Sequence, residues 1–133
     1  MNDLHGLAMD RDELMRKLAE TVAGDAALLL NGWKHLVLIS QIENDTPDLT
    51  GFCYTGDGRA KPVSPTDFAI FDVIEKLRDA MAEVDADRPW LAALFRVDRE
   101  TGKVTAEFEY DRPERWVVTP DNVKARAREF APR

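Results

Sequence analysis

Residues 104–111 of this chain, VTAEFEYD, alternate without a fault: Val104, Ala106, Phe108 and Tyr110 fall on one side, and Thr105, Glu107, Glu109 and Asp111 on the other. This is the period of a strand with one buried and one wet face; a helix would scatter the same apolar residues around its circumference. Immediately upstream, residues 90–97 (WLAALFRV) carry Arg96 as their only charge. Such a run suits a strand covered on both faces, inside a sheet rather than at its edge. Between the two, Asp98, Arg99, Glu100, Thr101 and Gly102 supply turn chemistry, with Gly102 free to take the positive φ that closes such loops. The stretch 90–111 therefore reads as a hairpin, and the rest of the chain must cover its apolar side.

The remaining elements follow from period and punctuation. Asp10 with Glu13 three residues later has the form of a helix start, and Leu14, Leu18 and Val22 then share one stripe until Gly24. Residues 26–30 either prolong that helix or form a buried connection before the turn at Asn31 and Gly32. Residues 33–43 (WKHLVLISQIE) are rich in β-branched and aromatic side chains and read as a strand; 49–55 (LTGFCYT) reads as its antiparallel return, closed by Gly56, Asp57 and Gly58. Ser64, Pro65 and Asp67 signal a second helix, with Phe68, Phe71, Ile74, Leu77, Met81 and Val84 as its inner stripe. After the hairpin, Arg112 and Pro113 end the strand, 116–118 form a short apolar piece, and Thr119, Pro120 and Asp121 open a last helix reaching about Phe130. The expectation is one α+β domain spanning 1–133, order αββαββα, with an antiparallel sheet covered by helices.

Charge limits the partners. A net charge of −7 opposes binding to nucleic acid or anionic membranes and suits a basic protein instead. The balance is uneven: residues 1–111 hold 12 basic and 22 acidic side chains, residues 112–133 hold 6 and 3, so an acidic body meets a basic tail. This reads either as solvated surface with some internal pairing or as an acidic recognition face. No apolar run approaches the roughly 20 residues of a membrane span. The opening MNDLHGLAM is too polar for a secretory signal, and the single Cys53 has no partner for an internal disulfide, so a cytoplasmic setting is expected.

Chemistry is sparse. Cys53 lies between Phe52 and Tyr54 and reads as a small hydrophobe within a sheet, since only His5 and His35 could offer an activating imidazole. The best catalytic candidates are Glu107, Glu109 and Asp111, whose shared strand face would let the carboxylates raise one another's pKa or hold a cation. They lack an ordered set of partners: no His cluster, no phosphate loop, no nucleophile beside a base. No catalytic, cofactor or metal residue is assigned. As a protein-binding surface the same three acids would supply electrostatic complementarity, with Trp116 and Trp90 as aromatic anchors if exposed; each Trp reads equally as a core cover.

One resemblance sharpens this reading. The run GKVTAEFEYD at 102–111, followed by Arg115, Trp116, Pro120 and a closing helix, resembles the C-terminal signature of the YezG-like family of bacterial immunity proteins. Gly32 and Trp33, the aromatic return strand at 52–54 and the Pro89-Trp90 pair occur in the matching order. The resemblance implies an antidote of a polymorphic toxin: a protein that binds a toxic domain, a nuclease among the candidates, in the producing cell and blocks it without catalysis. A secretion chaperone or adaptor would present much the same sequence, and a small acid-dependent enzyme is the third possibility.

Overall fold

The computed structural model describes residues 10–43, 46–84 and 88–132. Along the chain run α1 (Arg11–Ala23), β1 (Trp33–Glu43), β2 (Thr46–Thr55), β3 (Ala60–Val63), α2 (Phe68–Val84), β4 (Ala92–Asp98), β5 (Val104–Glu109) and α3 (Val123–Glu129). The strands form one antiparallel sheet in the order β3-β2-β1-β4-β5. The chain is therefore α+β, and β4 lies inside the sheet, as its unbroken apolar run requires. The short β3 adds a strand to the expected order. Its sequence, AKPV, escapes strand patterning because Pro62 interrupts it. Thr55 N–H bonds the Arg59 carbonyl, so with the register Gly51 to Val63 the Pro62 nitrogen points away from β2 and no ladder bond is lost.

Alternation along the strands sorts the side chains onto two faces. Leu36, Leu38, Cys53, Ala93, Phe95 and Val97 meet Leu14, Leu18 and Val22 of α1 and Ile70, Val73, Ile74 and Leu77 of α2. Val37, Ile39, Phe52, Tyr54, Ala92 and Leu94 meet Trp116 and Phe130 on the opposite face. Each large apolar side chain buried in these layers stabilises the fold by roughly 1.5–3 kcal/mol relative to exposure. Two helices thus cover one face, while the segment after β5 covers the other.

Local chemistry explains where the helices begin. The Asp10 carboxylate accepts the Glu13 N–H at 2.9 Å, the N-cap expected for α1. For α2 the expected start at Ser64 moves to Phe68, and the cause is remote. Asp25, 2 % exposed, accepts the Thr66 N–H (2.8 Å), the Thr66 hydroxyl (3.0 Å), the Asp67 N–H (3.0 Å) and the Ala27 N–H (3.0 Å). Those bonds hold residues 66 and 67 outside the helix, and Asp67 then receives the Ala69 N–H on its own carboxylate. The buried stripe of α2 keeps Ile74 and Leu77 of the expected set, with Phe71 and Met81 partly buried against the core, and adds Ile70 and Val73, whereas its expected ends fail: Phe68 is 82 % exposed and Val84 also faces outward. Before α3, the Thr119 N–H bonds the Asn122 side chain and the Asn122 N–H the Thr119 hydroxyl, closing a turn over 119–122, and the helix opens at Val123, later than Pro120 suggested. None of the helices described is long and apolar enough to cross a membrane.

Candidate partner-binding edge

The β4–β5 hairpin is built as its sequence demands. The Asp98 carboxylate accepts the N–H groups of Glu100 and Thr101, the Gly102 N–H bonds the Asp98 carbonyl at 2.8 Å, and Gly102 takes φ +70°. Asp98 N–H bonds the Lys103 carbonyl at 3.0 Å, which fixes the phase of the ladder: residues 103, 105, 107 and 109 face β4 with their backbone groups. Val104, Ala106 and Phe108 consequently direct theirs away from the sheet. Because β5 is the outermost strand, no partner for these groups occurs among the described residues.

Side chains on the helix side of β5 are half-buried. Phe108 packs against Trp90 (ring centroids 5.6 Å apart) and edge-on to Phe95 (6.1 Å), with the Arg11 guanidinium 5.6 Å above its ring. The Arg88 guanidinium stands 5.2 Å above the Tyr110 ring. The aromatic half of the Phe-Glu-Tyr-Asp run is thus packing. A groove of about 320 Å³ follows this strand, lined by Arg11, Asp12 and Met15 of α1 and by Val104, Thr105 and Ala106.

The three acids do not form one row. Glu107 stands exposed on the outer face of β5 and makes no hydrogen bond or ion pair among the described residues. Glu109, its side chain only 15 % exposed, works inside the protein: its carboxylate accepts the Asp111 N–H (2.9 Å) and the Arg112 N–H (3.1 Å) and pairs with Arg115 (3.3 Å). The Asp111 N–H leads in holding the Glu109 carboxyl below its usual range, against the opposing effect of burial, with the Arg112 N–H and Arg115 adding to it. For Glu109 the elevation expected of neighbouring carboxylates is therefore reversed. Asp111 lies beyond the end of β5 and pairs with Arg88 at 2.6 Å. No group of three or more His, Cys, Asp or Glu placed to hold a metal ion occurs among the described residues.

Neither Trp is available as a surface anchor. Trp90 is fully buried in the helix-side core, and Trp116 is 5 % exposed against the opposite face, beneath the Arg115 guanidinium at 4.6 Å. Both fill gaps at the sheet, a role that composition alone does not distinguish from an interface role. Glu109 explains the placement of Trp116, since its carboxylate gathers residues 111–115 into the turn that brings Trp116 under the sheet.

Two further features escaped the sequence. Tyr54 donates its hydroxyl to the Ala127 carbonyl (2.7 Å) and Arg96 donates to the Phe130 carbonyl (2.7 Å), so two interior strands tether α3. Burial pushes the Tyr54 phenol up to about 12 even though Arg96 pulls the other way. A cleft of about 340 Å³ beside this tether is lined by His35, Arg96, Glu129 and Phe130; Arg96 is already spent on the tether, and Glu129 on Arg126 at 2.9 Å. Cys53 is fully buried, and burial raises its thiol pKa, as a packing residue in a sheet requires. Comparison with known protein families and with characterised proteins returned no match to this chain.

Proposed function

We propose that this chain is an immunity protein of the YezG-like type, which binds a cognate polymorphic-toxin domain in the cytoplasm of the producing bacterium and blocks it without catalysis. The observation that carries this reading is the β5 edge. It offers backbone groups without a partner among the described residues, beside the exposed carboxylate of Glu107, likewise unpaired among them, on a chain whose net charge is −7. A basic toxin, as a nuclease must be to hold phosphates, is the partner such a surface attracts and orients. The resemblance at 102–111 supports the same reading. Within it Phe108 and Tyr110 build the hairpin, Glu109 folds the turn behind it, and Glu107 is left for recognition. A stable complex would bury about 800 Å² on each partner, more than the edge alone, so neighbouring exposed groups take part.

The test is to establish what the adjacent reading frame encodes and, where that is a large protein with a toxin-like C-terminal domain, to co-express that domain with this chain. Restored growth and co-purification of the two chains are expected, with rescue weakened by Glu107→Lys. Stable binding without rescue would replace the immunity reading with that of a secretion chaperone or adaptor. Turnover of a small molecule that disappears in Glu107→Gln would replace it with an enzyme.

A further inference from the structure

We infer that the outer edge of β5 is a docking strand: it takes an extended segment of the toxin, with basic and apolar side chains in alternation, as an added strand of the sheet. The inference deepens the immunity reading and rests on it for the identity of the partner. Three observations carry the binding mode itself.

The two edges of the sheet are treated differently. At β3 the edge is four residues long and places Pro62 where a donor would face outward, so it offers a poor template for another strand. At β5 the outward groups of Val104, Ala106 and Phe108 belong to residues that keep both donor and acceptor, over a strand of six residues without proline. Such a row is what an added strand pairs with.

The sides of that edge specify what the strand carries. On the helix side, the groove between α1 and β5 has Met15, Val104 and Ala106 as its apolar lining and would receive alternate apolar side chains. Arg11 and Asp12, which carry opposite charges, also line this side. On the other side the strand shows Thr105, Glu107 and Glu109, with Lys103 just before them in the same phase and Glu109 already paired to Arg115, so Glu107 is the charge left open to a partner. An incoming strand would therefore set its other side chains beside Glu107, where Lys or Arg is favoured.

The same charges count against a second copy as the occupant. Two β5 strands paired about a twofold axis centred on Ala106 would set Glu107 opposite Thr105 and leave it without a cation. A basic strand would place Lys or Arg there instead.

The probe is a synthetic peptide alternating Lys and Val, added to the full-length protein, with amide hydrogen exchange followed by NMR. The Val104, Ala106 and Phe108 amides should exchange readily in the free protein and become protected with peptide. A peptide alternating Glu and Val should leave them unprotected. Ala106→Pro copies the device that β3 already uses at Pro62 and removes an outward donor without touching the β4 ladder; it should abolish the protection. Glu107→Lys, at an exposed position that folding does not use, should weaken peptide binding about tenfold. Protection confined to other amides, equal binding by both variants, or edge amides already protected by self-association would each overturn the inference. Its failure is separable from failure of the immunity reading. Growth rescue by Ala106→Pro equal to wild type removes the docking strand alone, whereas absence of rescue by the wild type removes the immunity role alone.

Discussion

Replacing Asp25 with Ala tests the most concentrated polar construction in the fold. Its carboxylate is buried and serves four donors, three of them on Thr66 and Asp67 at the entrance to α2. Each hydrogen bond to a charged group contributes about 1.5–3 kcal/mol, and a buried donor left alone costs about 1–3 kcal/mol. Thr66 and Asp67 reach the surface, where water replaces part of what is lost, so the net destabilisation is placed at about 2–4 kcal/mol. In urea the midpoint should fall with little change in slope, because the surface exposed on unfolding is nearly the same. The pH dependence carries an independent check. Burial is the strongest single influence on Asp25 and raises its pKa, but the Asp67, Thr66 and Ala27 donors together outweigh it and hold the carboxyl below its ordinary 3.8. The folded state therefore binds that proton less readily than the unfolded state. Its contribution is present above pH 3.8 and is lost as pH falls through the lower folded value. The gap between wild type and Asp25→Ala should narrow on acidification in that window. A difference under about 0.5 kcal/mol, as for an ordinary surface substitution, or a gap that does not change with pH, would refute the role assigned to Asp25.

Three other substitutions probe the sheet. A Cβ at Gly51 would collide with the Val37 carbonyl oxygen in the β1–β2 ladder, so Gly51→Ala should cost about 3 kcal/mol in chemical denaturation; a neutral result would mean that the strands are spaced differently. Ser40 buries a hydroxyl without a partner among the described residues, and Ser40→Ala should be neutral or stabilising by up to about 1 kcal/mol, measured the same way. Tyr54→Phe should cost about 1 kcal/mol and speed amide exchange in α3. Because the folded phenol is raised from 10 to about 12, the wild type should lose Tyr54's contribution between those values as pH rises, and the variant should not.

The hairpin, β1 and α1 were legible because each has a single strong period and chemically explicit ends. β3 was not, since a strand of four residues containing Pro shows no period at all. The misplaced ends of the α2 stripe have a different origin. Phe68 and Val84 sit at helical spacing with the core-facing residues Phe71, Ile74, Leu77 and Met81, so spacing alone included them and passed over Ile70 and Val73, which the fold buries. In the candidate site, alternation correctly separated Glu107 and Glu109 from the packing residues. It could not tell an exposed acid from one folded back onto the next turn, because the distinction depends on Arg115 and on backbone donors brought in by the chain's path. The tryptophans were undecided for the same reason: burial is a property of what lies opposite, and in both cases that is assembled from distant segments.

The cover over the second face of the sheet also has a consequence in time. Trp116 and Phe130 follow every strand in the chain, so during synthesis Val37, Ile39, Phe52 and Leu94 are made well before the residues that shield them. A growing chain that has already closed its helical side would still present a greasy, half-finished surface to the cell. Ribosome-associated chaperones would find their binding site there, and a stop codon before position 116 would leave it permanently open and prone to clumping.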